Sequence, residues 1–162
     1  MRSALDTNVL VYAEGFGDQV RVEASRSLLA ALADGDVVIP LQCLGELFRV
    51  LTGKAGRSPG EARDAVLSWM DAFSVADSTA KALAGAMDLC VDHQLGSWDA
   101  LVLSVAADAG ARLLISEDLN PGFTWRGVRV VNPFATTLDP LLLQLARDGQ
   151  KDSSVWPAKR PA

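Results

Sequence analysis

The sequence has a single histidine, His93, in 162 residues. That scarcity excludes a two-histidine ribonuclease and any zinc site built from several imidazoles. His93 also lacks the setting of a Ser-His-Asp triad: no Gly-x-Ser-x-Gly elbow accompanies it, and it closes an amphipathic run where a surface or helix-end histidine is the simpler reading. Cysteine is nearly as rare. Cys43 and Cys90 each fall inside an apolar helical pattern, so buried thiols in a reducing compartment are expected rather than a disulfide or a thiolate metal pair. No run reaches the roughly 18 uncharged apolar residues of a membrane span, and Asp6 comes too early for the apolar region of a signal peptide. A cytoplasmic protein with no membrane partner is the expectation. Positive charge is short as well. With 15 basic against 20 acidic residues the net charge is −5, which excludes nucleic-acid binding through a blanket of positive charge but leaves local basic patches open. The stretch Gly53-Lys54-Ala55-Gly56-Arg57 lacks the Ser or Thr that follows the lysine of a phosphate loop, and reads as a flexible basic turn.

What is present is material for one core: 49% of residues are hydrophobic and 22% charged, close to globular averages. Apolar runs alternate with helical periodicity, the pattern of an α/β domain with a parallel sheet. Ser3 to Leu5 reads as a first strand, with the next apolar residues turning into helix. A helix follows over about Val22 to Ala33, stopped by Gly35, and then a strand at Val37-Val38-Ile39 closed by Pro40. Leu41 to Thr52 is helical. Ser58-Pro59-Gly60-Glu61 carries a capping-box signature and opens a helix to about Phe73. Helices are also expected over Thr79 to Gln94 and over Trp98 to Ala109, the latter starting after Ser97, with strands over Arg112 to Ile115 and Val128 to Val131. Residues 1–135 form the expected domain. The expected appendage, 136–162, has a short helix around Leu138 to Leu145 and then polar, proline-containing sequence that lacks the apolar material to fold.

Topology turns this order into a site. In right-handed βαβ crossovers the strand C-termini and helix N-termini gather at one sheet edge, where open α/β folds bind ligands. Asp6 directly follows the first strand, and Glu46 lies a turn and a half into the helix after the second. Asp99 is in the first turn of the helix before Leu113 to Ile115, and Asp118 comes just after that strand. Carboxylates crowded without basic partners repel one another, and a fold tolerates this mainly when a divalent cation neutralises them; hard oxygen donors suit magnesium or manganese and, through a metal-bound water, phosphodiester hydrolysis. Each residue also has a plain structural reading. Asp99 could complement its helix dipole, Glu46 could be a solvated residue beside Gln42 and Arg49, and Asp118 could be a turn residue with Glu117 as a competing ligand. Asp6 is hardest to explain this way, because no turn or cap visible in the sequence asks for aspartate there.

The segments Leu5-Asp6-Thr7-Asn8-Val9-Leu10, Gly45-Glu46-Leu47, Trp98-Asp99-Ala100 and Ser116-Glu117-Asp118-Leu119, closing with Val130-Val131-Asn132-Pro133-Phe134, resemble the PIN-domain family, most closely the VapC-type toxins of toxin–antitoxin pairs. The resemblance spans about 1–135 and implies a three-layer α/β/α sandwich with a central parallel sheet. It also implies a magnesium-dependent endoribonuclease, with manganese able to substitute, acting as a toxin. Asp6, Glu46, Asp99 and Asp118 would be its metal-binding and catalytic set, with Asn8 and Ser116 as supporting contacts. A cognate antitoxin and a homodimer are the implied protein partners, and RNA the substrate. Arg49, Lys54 and Arg57 are candidate RNA contacts.

Two other readings compete. A haloacid-dehalogenase-type magnesium phosphatase also places an aspartate after its first strand, and Lys54 could supply its lysine. It wants a second aspartate two residues on, where this chain has Asn8, and it gives Glu46 and Asp99 no role. A catalytically silent PIN-like binding module would be favoured by a missing carboxylate, and none is missing.

Overall fold

A computed structural model of the chain describes residues 1–149; the expected disordered tail beyond them lies outside the described residues. Strand β1 (Ser3–Leu5) runs into α1 (Thr7–Ala13) and α2 (Gln19–Leu32), then β2 (Val37–Pro40), α3 (Leu41–Thr52), α4 (Pro59–Ala72) and β3 (Ser74–Ala76). After these come α5 (Ala80–His93), α6 (Ser97–Asp108), β4 (Leu113–Ile115), β5 (Thr124–Trp125), β6 (Val128–Val131) and α7 (Pro140–Gly149). The six strands form one sheet in the order β3-β2-β1-β4-β6-β5. All neighbours pair in parallel except β5, which returns antiparallel beside β6.

The strand order fixes the layers. Stepping from β1 to β2 to β3 moves outward in one direction, and the crossover from β3 to β4 steps back over β2 and β1. With right-handed crossovers, α1 to α4 therefore cover one face and α5 and α6 the other, giving the expected α/β/α sandwich. Buried strands read as continuous apolar runs, as a sheet covered on both faces requires: Leu5, Ile39, Leu113, Leu114, Ile115 and Val130 are all fully buried. Helix α7 packs on α2 and buries Leu142, Leu145 and Ala146.

Helix starts follow their caps. Asp18 caps α2, which begins at Gln19 rather than near Val22; Gln19 and Val20 are exposed and Arg21 half-buried, so this first turn carries no apolar periodicity. Ser58 and Glu61 form the expected capping box of α4. Helix α6 begins at Ser97 itself after Gly96, whose cap position offers no side-chain bond. Two strands were not expected from the sequence. Edge strand β3 is three residues long and only partly buried, and β5 has two residues joined to β6 through Arg126 and Gly127, both at positive φ. Neither is long enough to show a period, and the hairpin turn lacks the Asn-Gly or Asp-Gly signal that such geometry favours.

Candidate active site

The strand order reverses between β1 and β4, and this switch point is where the sheet leaves a crevice beyond its carboxyl ends. Asp6 is the first residue after β1, and Ser116 the first after β4. Their side chains meet. The Ser116 hydroxyl donates to Asp6 Oδ2 at 2.6 Å, Asn8 Nδ2 donates to the same oxygen at 3.2 Å, and the Cys43 thiol lies 3.8 Å from Oδ1. Asp6 also caps α1, accepting from the Thr7 amide at 2.7 Å. A cap does ask for aspartate there, then, and the sequence reading missed it because strand and helix abut with no linker to announce the junction. Asp6 is 6% exposed. Burial pushes its carboxyl up to about 6 against the Ser116 and Thr7 hydrogen bonds, with Asp118 and Asp99 adding to the rise. The same burial, with Asp6 nearby, raises the Cys43 thiol well above its usual range.

Asn8 ties the strand ends together: Nδ2 donates to Asp118 Oδ2 at 3.1 Å as well as to Asp6, and its Oδ1 accepts from the Glu117 amide at 3.3 Å. Adjacent acidic residues are sorted by their partners. Glu117 is taken by Arg21, whose Nε lies 2.7 Å from its carboxylate, and by the Tyr12 hydroxyl, which donates at 2.7 Å. Arg21 accordingly holds the Glu117 carboxyl below the usual range, while burial and Glu117 push the Tyr12 phenol up to about 12. Asp118 is left facing Asn8 and the crevice. Neither Tyr12 nor Arg21 was singled out from the sequence, since their pairing with Glu117 spans about a hundred residues and leaves no local pattern.

Asp99, in the first turn of α6, and Glu46, on α3, complete the edge. Asp99 makes no hydrogen bond or ion pair among the described residues, and its carboxyl is raised by burial, then by Asp118 and Glu46. Glu46 accepts from the Thr7 hydroxyl at 2.8 Å. The structure thus brings Asp6, Asp99 and Asp118 within electrostatic reach of one another and Glu46 within reach of Asp99, and none of the four forms an ion pair among the described residues. In donor chemistry the set fits a hard divalent cation: oxygen ligands only, negative charge uncompensated. The side chains are not drawn in to ligating separation, and among the described residues no three acidic, histidine or cysteine groups stand close enough to hold a metal as placed.

The candidate RNA contacts divide. Arg49 and Lys54 line a cavity next to Asn8, Glu46 and Asp118. Arg57 is drawn elsewhere, pairing with the Glu14 carboxylate at 2.6 Å and its carbonyl at 2.7 Å, where Glu14 also accepts from the Trp69 indole at 2.8 Å. His93, exposed at the end of α5, packs edge-on against Phe123 and takes no part in the crevice. Cys43 and Cys90 are free thiols. Among the described residues no helix is long and apolar enough to cross a membrane.

A family model described as PIN domain matches residues 4–123. No curated protein sequence matches significantly. Among solved structures, VapBC2 from Rickettsia felis bound to a promoter DNA fragment is 20% identical with a TM-score of 0.58, covering 73% of this chain and 89% of that one. The sarcin-ricin-loop-cleaving toxin VapC20 from Mycobacterium tuberculosis is also 20% identical with a TM-score of 0.58, covering 69% and 86%. A toxin–antitoxin complex from Klebsiella pneumoniae is 20% identical with a TM-score of 0.61, covering 82% and 98%.

Proposed function

The chain belongs to the PIN domain family, and from that premise we propose that it is a magnesium-dependent endoribonuclease, the toxin of a toxin–antitoxin pair. The observation that carries the reading is the set of carboxylates at the β1/β4 switch point, Asp6, Asp99 and Asp118 with Glu46 beside them, of which Asp6 and Asp99 are raised by burial and then by their acidic neighbours, and none of which forms an ion pair among the described residues. Asp6, Glu46, Asp99 and Asp118 would hold the metal. Bound magnesium would supply a water of lowered pKa and offset charge building on the phosphate oxygens, and manganese would substitute for it. Ser116 and the Thr7 amide hold Asp6 in one rotamer, so its free lone pairs are aimed before a substrate arrives. Asn8 spaces Asp6 from Asp118, and Thr7 orients Glu46. Family membership leaves the phosphatase reading without support.

The toxin assignment draws on the toxin–antitoxin neighbours. A cognate antitoxin is proposed to cover the crevice with a basic side chain among the carboxylates, and the free protein to be a homodimer. The test is cleavage of single-stranded and structured RNA by the purified protein. Cleavage is expected with magnesium or manganese, lost in EDTA, and silenced when the product of the adjacent gene is co-expressed; light scattering on the free protein should give a dimer mass. Asp99→Asn should abolish cleavage and, by relieving repulsion, raise the melting temperature in EDTA by up to about 4 °C, the size of a 1 kcal/mol change in a domain this large. Robust cleavage in EDTA, or by Asp99→Asn, would sink the metal mechanism, and a catalytically silent module would cleave under neither condition.

A further inference from the structure

Beside the carboxylates lies a cavity of about 280 Å³ between α1 and α3. Its chemistry is split. Tyr12, Phe16 and Val50 line it with apolar surface, Arg49 and Lys54 with positive charge, and Glu46 and Asp118 with negative charge. Neither cation forms an ion pair among the described residues. The aromatic wall is built rather than incidental. Tyr12 is fixed by its hydroxyl on Glu117 at 2.7 Å and by Phe134, edge-on at 5.3 Å. Gly17, at φ +142°, lies so close that a Cβ there would stand 2.5 Å from the ring.

We propose that this cavity is a subsite for one nucleobase of a single-stranded RNA, whose adjoining phosphate is gripped by Arg49 and Lys54 as the strand passes Asp118. The inference rests on the ribonuclease reading and deepens it: this pocket, not the carboxylates, would set which nucleotide sits beside the scissile bond. A flat neutral base beside an anion satisfies both halves of the cavity. Glu46 and Asp118 oppose an acidic peptide and a phosphate alike, so the choice rests on the aromatic lining: Tyr12 and Phe16 beside Arg49 and Lys54 suit a flat base carrying its own phosphate, and that pairing favours the nucleotide.

The experiment measures binding of short single-stranded RNAs to the full-length Asp99→Asn protein in magnesium, with one abasic nucleotide walked along the strand. One abasic position should weaken binding about 5- to 100-fold, the effect of losing one base stacked on an aromatic ring. Val50→Phe, which fills the cavity, should erase that position's special cost. Lys54→Ala, at an exposed position that leaves the fold intact, should weaken all sequences alike and lower the salt slope by about one. An abasic profile with no sensitive position overturns the subsite, as does a profile unchanged by Val50→Phe in a protein that melts normally. So does a Val50→Phe effect confined to the complex with a partner protein, which would make the cavity a protein-docking surface. Failure of the wild type to cleave any RNA with magnesium overturns the ribonuclease reading instead, and a sensitive abasic position would still support the subsite.

Discussion

Asp6 accepts hydrogen bonds on both carboxylate oxygens, from the Thr7 amide on one and from Ser116 and Asn8 on the other. An asparagine there must turn its amide nitrogen toward a donor, so Asp6→Asn carries a fixed loss of stability along with the removal of a charge. The two effects separate by pH. A carboxyl raised from 3.8 to about 6 binds its proton more tightly in the folded chain than in the unfolded one. Its stabilising contribution is therefore complete below about 3.8 and lost as pH rises through about 6. In EDTA, the melting-temperature advantage of the wild type over Asp6→Asn should shrink between pH 4 and about pH 6.5. Glu117 works the other way: its lowered carboxyl contributes stability above the usual value of 4.5 that is lost as pH falls, and it is present in both proteins, so it cancels in the comparison. Thermal melts of the two proteins across that range check the point, and a difference independent of pH would remove the raised Asp6. At this scale the sequence pointed to the carboxylates and, through the family resemblance, to Asn8 and Ser116 beside them, but not to the other holders. Asp6, Glu46, Asp99 and Asp118 could be placed from strand ends and helix starts alone. Thr7, Tyr12, Arg21 and Cys43 could not, because what they do depends on contacts far along the chain.

Helices α5 and α6 pack together with Gly85 facing Ser104. A Cβ added at Gly85 would stand 2.7 Å from Ser104 Oγ and 3.1 Å from the Trp125 ring, while the buried Ser104 hydroxyl has no hydrogen-bond partner among the described residues. Two opposing magnitudes decide the outcome of Gly85→Ala. Alanine gains about 1 kcal/mol of helix propensity, and overpacking a closed contact costs about 1–3 kcal/mol. The single variant should come out destabilised. Ser104→Ala removes the nearest obstructing atom and a buried hydroxyl, so it should be neutral or stabilising alone, and in its background Gly85→Ala, still tight against the Trp125 ring at 3.1 Å, should cost less than in the wild type. Urea denaturation of the four proteins closes this cycle, and strict additivity would mean that the helices do not meet as described. Elements themselves were legible where a cap, a stop or a long period marked them, as with Ser58 and Glu61 before α4 or Gly53 after α3. Strands β3 and β5 were not, since tertiary pairing alone makes them strands.

For the molecule as a whole, the alternation of apolar runs and helical segments was enough to reach an α/β domain with a parallel sheet, and the family resemblance its three layers, but not the order of strands in the sheet. Nor does the pattern alone indicate that Leu142 would be fully buried against α2. Because it is, Leu142→Ala should destabilise the entire protein by about 2–5 kcal/mol in one cooperative transition. A melting temperature unchanged by that substitution would mean that α7 contributes nothing to the core. The long reach between Asp6 and Ser116, bonded across 110 residues of sequence, has a consequence for the order of events during synthesis. A ribosome releases the amino-terminal half first, with α1, α2 and α3 free to fold while β4 is still unmade. Through that interval Asp6 has neither the strand beside it nor the hydroxyl that sets its rotamer. The carboxylates are therefore brought together only after Asp118 has emerged, so the nascent chain passes through most of its synthesis without an assembled site.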